Sequence, residues 1–175
     1  MKIFSAILLA LSLQAMASTE LQSVSHVDLE QYVGKWYEIS RYANNFQKEC
    51  AGTTAEYTNN GSYIEVKNSC QRKSDGTVKV ANGYARVADK TTNSKLKVSF
   101  VPFFGRYGWF AGNYWIIELG ENYEYAVIGE PKRKFLWILS RTKELPESLY
   151  NDILERLEAK HHYDTSKLIK TPIWL

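Results

Sequence analysis

Between residues 32 and 140 the chain falls into eight short strand-like runs joined by turns, with no helical period between them. The runs cover about 32–42, 52–58, 62–68, 77–87, 95–100, 113–119, 123–129 and 135–140. The connectors carry turn residues: Asn59, Asn60 and Gly61; Ser74, Asp75 and Gly76; Thr92 and Asn93; Gly120, Glu121 and Asn122; and the 130–134 stretch with Pro131. Regular spacing of this kind implies an all-β fold, either an antiparallel sandwich or an up-and-down barrel. The period then changes. Leu149, Ile153 and Leu157 recur four residues apart after Pro146, which predicts one amphipathic helix running to about His161. That helix is expected against the outside of the sheet, with Glu155, Arg156 and Lys160 solvated. Residues 167–173 form a candidate last strand.

The first residues stand apart from this pattern. Met1 and Lys2 are followed by an apolar run to Leu13, then by Ala15, Met16 and Ala17. This is the layout of a secretory signal peptide, 1–17, leaving 18–175 as one domain. No cysteine sits at the cleavage point. Loss of Lys2 leaves 21 basic against 19 acidic residues, too mild an excess to imply nucleic-acid binding. In an oxidising compartment Cys50 and Cys70 are expected to pair. A three-residue turn centred on Asn60 sets them opposite each other, and closing a loop of this size adds about 3 kcal/mol.

Gly34-Lys35-Trp36 opens the first run, and the eighth ends in Leu136-Trp137-Ile138-Leu139-Ser140-Arg141-Thr142. These resemble the first and third motifs of the lipocalins, and Asn122-Tyr123 stands where that family often has Thr-Asp-Tyr. The wording "WYEISRY", "TAEYT", "LKVSF" and "LWILSRT" is similar to the bacterial lipocalins and, more loosely, to the apolipoprotein D group. The resemblance extends from about 27 to 173. It implies an eight-stranded antiparallel up-and-down barrel with an external helix, closed at one end. It also implies structural roles for Gly34, Trp36, Tyr123 and Arg141, with the guanidinium of Arg141 over the ring of Trp36.

An eight-stranded barrel is wide enough for one small ligand. If Trp36 points inward, alternation carries Glu38, Ser40 and Tyr42 with it. Arg141 likewise brings Trp137 and Phe135 inside. The same parity gives Ala55, Tyr57, Ile64, Val66, Leu96, Val98, Phe100, Tyr125 and Val127 as further lining. Such a wall is mostly apolar and aromatic, as expected of a binding pocket. An alkyl chain buried there gains about 0.8 kcal/mol per methylene. Glu38 is either an anchor for a ligand head group or a satisfied internal hydrogen bond; the second is favoured because it lies near the floor.

Alternate loops of such a barrel share one end. Those after the first, third, fifth and seventh strands carry Lys48, Arg72, Lys73, Arg106, Lys132, Arg133 and Lys134 against Glu49, Asp75 and Glu130. The fifth-to-sixth loop adds Phe103, Phe104 and Trp109. Basic and aromatic residues together suit contact with an anionic membrane; the alternative is a lid over the mouth or self-association. His26, His161 and His162 fall outside the expected interior, and no spacing suggests a zinc site or a catalytic set. The expected function is an exported, monomeric or weakly dimeric carrier of a fatty acid or lysophospholipid, with no cofactor, no metal and no enzymatic activity. The alternatives are a haem or pigment with a redox or enzymatic role, disfavoured by the lack of an inward histidine, and a protein-interaction module using the aromatic mouth loop.

Overall fold

A computed structural model describes residues 20–101 and 111–172. The expected leader, and the mouth-loop residues Phe103, Phe104, Arg106 and Trp109, lie outside the described residues. Eight strands appear where the alternation places them: β1 (Gly34–Tyr42), β2 (Cys50–Asn59), β3 (Ile64–Arg72), β4 (Val78–Val87), β5 (Lys95–Ser99), β6 (Gly112–Leu119), β7 (Tyr125–Gly129) and β8 (Leu136–Ser140). Each pairs antiparallel with its successor, and β1 pairs with both β8 and β2, so the sheet closes into a barrel. A short β9 (Leu168–Lys170) runs along the second half of β1, beyond its last pair with β2.

One short helix, α1 (Leu29–Tyr32), was not legible in the alternation. Asp28 caps it by accepting from the backbone N–H of Glu30. The expected helix is α2 (Glu147–Ala159), and it buries Tyr150, Ile153 and Leu157. They pack on Leu136, Ile138, Ile117 and Val127 of the outer wall. A separate cluster fills the lower barrel, with Trp36, Tyr57, Ile64, Val66, Leu96, Ile116, Ile128 and Leu139 at its centre.

The wall strands β6, β7 and β8 are apolar on both faces because one face meets the barrel interior and the other meets α2. Alternation cannot say which face is which in such a strand. Tyr125 and Val127 lie in the outer cluster, and Ala126 and Ile128 point inward, which reverses the expected parity for β7. A second reversal has a different cause. Glu38 opposes Leu139 and Ser40 opposes Ile138, so one extra residue bulges at Ile39. Beyond the bulge the faces exchange. Ser40 accepts a hydrogen bond from Tyr150 of α2, and Tyr42 packs edge-on against Tyr163, both outside the barrel. Arg41 takes the inward position beside Trp137.

The β2–β3 hairpin is also offset from expectation. Asn59 pairs with Ile64, so the loop spans four residues, and Cys70 opposes Thr53. An irregularity between Cys50 and Gly52 restores the approach, and Cys50 and Cys70 form a disulfide with Cα atoms 5.3 Å apart. On α2, Arg156 is not simply solvated: it donates two bonds to Glu118, whose side chain is buried on the outer wall.

Candidate functional site

The chain turns from α1 into β1 at Gly34, with φ at +92°, a conformation that favours glycine. This turn sets Trp36 at the barrel floor, fully buried, with its indole N–H donating to the Tyr32 carbonyl. The guanidinium of Arg141 lies 3.8 Å from the centre of the Trp36 ring, as the motif resemblance implies. Such a stacked pair is worth roughly 1–2 kcal/mol out of water. Arg141 also donates to the carbonyls of Gln31, Tyr32, Lys35 and Tyr123, and burial pulls its pKa below the ordinary guanidinium value. Tyr123 completes the closure from the other side, its phenol accepting from the backbone N–H of Asp28. The closed end is thus a hydrogen-bonded plug made from α1, β1 and the loop after β8.

Above the plug, Ala55, Tyr57, Ile64, Val66, Leu96 and Val98 face inward as expected. Phe135 and Trp137 stack at 5.7 Å near the rim. The ring of Phe100 lies against Gly83, where any Cβ would come within 2.7 Å of it. Several inward residues are only partly buried: Ala55, Asn68, Val98, Tyr114 and Trp137 all keep accessible surface. Side chains therefore do not fill the upper barrel, and these residues border an internal space. Alternation had not singled out Tyr32, Arg41, Asn68 or Tyr114. Two of these lie in segments whose parity is ambiguous or broken, and one lies in the short helix.

Glu38 is inward but not free. Its carboxylate accepts from Arg41 at 2.9 Å, from the Gln47 side chain at 2.6 Å and from the Thr171 hydroxyl at 2.5 Å. Gln47 in turn accepts from the Trp137 indole and from Asn44. A buried ion pair needs such extra bonds to offset its desolvation. Glu38 is thus held in an internal network, with Thr171 supplied by the segment just after β9, while the buried Arg41 Nε–H has no partner among the described residues.

The open end differs in composition. Among the described residues, every exposed large apolar side chain (Phe46, Val78, Val80, Phe100 and Ile169) lies in the mouth half. Lys48, Arg72, Lys73, Lys132, Arg133 and Lys134 accompany Glu49, Asp75 and Glu130 there. The Glu130 carboxylate is turned inward to accept from the backbone N–H groups of Lys132 and Lys134. The loops and cap of the closed end have the opposite balance: Asp28, Glu30, Asp89, Glu121, Glu124 and Glu144 against Lys90, Arg141 and Lys143.

A closed antiparallel eight-stranded barrel, a G-x-W plug under a stacked arginine and one external helix define the lipocalin class. Residues 27–173 match the family described as a lipocalin-like domain. Over 157 residues the chain is 40% identical to temperature-induced lipocalin-1 of Arabidopsis thaliana, a match that spans 87% of this chain and 83% of that one. It is 35% identical over 151 residues to the outer membrane lipoprotein Blc of Vibrio cholerae, covering 85% and 84%. Insecticyanin from the tobacco hornworm Manduca sexta shares the fold, with a TM-score of 0.68 at 23% identity over 88% of this chain and 85% of that one. The chain belongs to the lipocalin family, whose members bind small hydrophobic ligands and generally serve in binding and transport rather than catalysis.

Proposed function

We propose that this protein is exported after cleavage near residue 17 and carries one lipophilic amphiphile, a fatty acid or a lysophospholipid, inside its barrel. The observation that carries this reading is the set of inward residues with accessible surface, Ala55, Val98, Tyr114 and Trp137 among them. They bound a space walled mostly by apolar and aromatic side chains, with a few polar groups, which suits an amphiphile. Arg41, Glu38 and Gln47 bond one another and act as a rigid wall rather than as the anchor. The relationship to an outer membrane lipoprotein supports an envelope setting for the lipid.

Titration with the fluorescent fatty acid cis-parinaric acid tests this. We expect saturation at one ligand per chain, with affinity falling several-fold in Trp137→Ala as stacked aromatic surface is lost. An unchanged affinity in that variant removes Trp137 from the lining, and no uptake in the intact protein removes the carrier reading.

The segregation of exposed apolar and basic residues at the mouth favours a second element of the reading. The protein meets an anionic membrane mouth first, with Phe46 and the lysines at 132 and 134 in contact, so lipid passes between bilayer and barrel. Basic residues near an anionic leaflet contribute about 1 kcal/mol each. Sedimentation with vesicles containing phosphatidylserine at low salt is expected to weaken when Lys132 and Lys134 become glutamine; binding indifferent to both substitutions and to salt contradicts it.

A further inference from the structure

Three phenols meet at the bottom of the internal space. The hydroxyls of Tyr32 and Tyr57 bond that of Tyr114, at 2.7 and 2.9 Å. Three hydroxyls carry three protons, and two contacts employ two of them. The three phenolic oxygens have no further partner among the described residues. One O–H donor is therefore surplus inside the barrel, in surroundings set by Trp36, Leu96 and Ile116. One rung nearer the mouth, Asn68 faces inward opposite Ala55, and its carboxamide oxygen is buried with no donor. A surplus donor and a surplus acceptor thus occupy neighbouring positions of one inner wall, where unmet hydrogen bonds are costly. Tyr114 and Asn68 both border the internal space.

The charge state of the missing partner follows from its surroundings. Burial pushes all three phenols up, Tyr57 to about 12, so the cluster is neutral at physiological pH. The cation nearest the floor, Arg141, lies on the Trp36 ring and is occupied by main-chain carbonyls. An anionic group would enter this site without a counter-charge. A neutral hydroxyl suits both groups, accepting the spare phenolic proton and donating its own to the Asn68 carboxamide oxygen.

We propose that Tyr32, Tyr57, Tyr114 and Asn68 form a recognition site for a hydroxyl group on the buried end of the ligand. The favoured cargo is then a lipid with polar groups at both ends, such as a hydroxylated acyl chain, rather than a plain saturated one. This rests on the barrel being the amphiphile cavity proposed above.

The test is displacement of cis-parinaric acid by palmitic acid and by its ω-hydroxy analogue. A hydroxyl buried in a purely apolar pocket weakens binding about tenfold or more. We expect instead that the analogue binds wild-type protein at least as tightly as palmitic acid. Tyr114→Phe should weaken the analogue about tenfold and leave palmitic acid within about threefold. Tyr57→Phe serves if the first variant does not fold, and Asn68→Leu should act in the same direction. A tenfold preference of wild-type protein for palmitic acid, or equal losses of both ligands in the variants, overturns the hydroxyl site while leaving the carrier reading intact. Failure of both acids to displace the probe overturns the carrier reading itself, and this site with it.

Discussion

At the closed end Trp36 is wholly buried and Arg141 donates to four main-chain carbonyls, whereas at the open end Phe46 stands 67% exposed beside Phe135 and Trp137. The same sheet builds both ends, so the contrast lies in what each end does. The floor joins α1, β1 and the loop after β8 into one unit whose removal leaves carbonyls without donors. The mouth places apolar rings and lysines where water meets them. We therefore expect substitutions at the floor to affect stability and substitutions at the mouth to affect exchange with the surroundings.

Substitutions that break this contrast should rank accordingly. Trp36→Ala has the largest expected effect, a loss of roughly 3–5 kcal/mol from the cavity it leaves, seen as a lower midpoint in denaturant. Arg141→Ala should cost roughly 2–3 kcal/mol, since it removes the stacked cation and strands several carbonyls. A near-neutral result in either case would mean that the plug is not the stabilising end.

The side wall provides an intermediate case with a pH signature. Burial opposes ionisation of Glu118, but the His161 ring 3.3 Å from its carboxylate and the two bonds from Arg156 outweigh it and hold the carboxyl below its usual value. A depressed carboxyl contributes stability above its unfolded pKa, and that contribution disappears as pH falls through the folded one. Glu118→Gln should therefore cost roughly 1–3 kcal/mol at neutral pH. The gap from wild type should close as the medium becomes more acidic than the ordinary carboxylate range, as read by thermal midpoints across pH. A constant gap would show that packing of α2, not the charge, accounts for the loss. Phe46→Ala has the smallest expected effect on stability, within about 0.5 kcal/mol, yet it should reduce vesicle association.

Sequence reading recovered the barrel because alternation and turn chemistry recur eight times, and it recovered the Trp36–Arg141 pair because two distant motifs agree. It failed where the physical signal is absent or interrupted. In β7, Tyr125 through Ile128 are apolar at every position, so parity depends on which face α2 covers. In β1, the bulge at Ile39 shifts Ser40 and Tyr42 outward and Arg41 inward, and nothing in "EISRY" announces an extra residue. Tyr32 was read as the start of a strand and belongs to a four-residue helix. The disulfide was foreseen for the right cysteines on a hairpin register that is three residues off, since Cys70 opposes Thr53 rather than Cys50.

The most direct test of the central claim, that the ligand lies within the barrel, is to fill that space. Ala55 faces inward beside Trp36 and Asn68 and is only partly buried, so Ala55→Trp places an indole there. With folding verified by circular dichroism, cis-parinaric acid uptake should fall from one per chain to an undetectable level. Undiminished uptake at the same affinity would place the ligand elsewhere on the molecule and contradict the account.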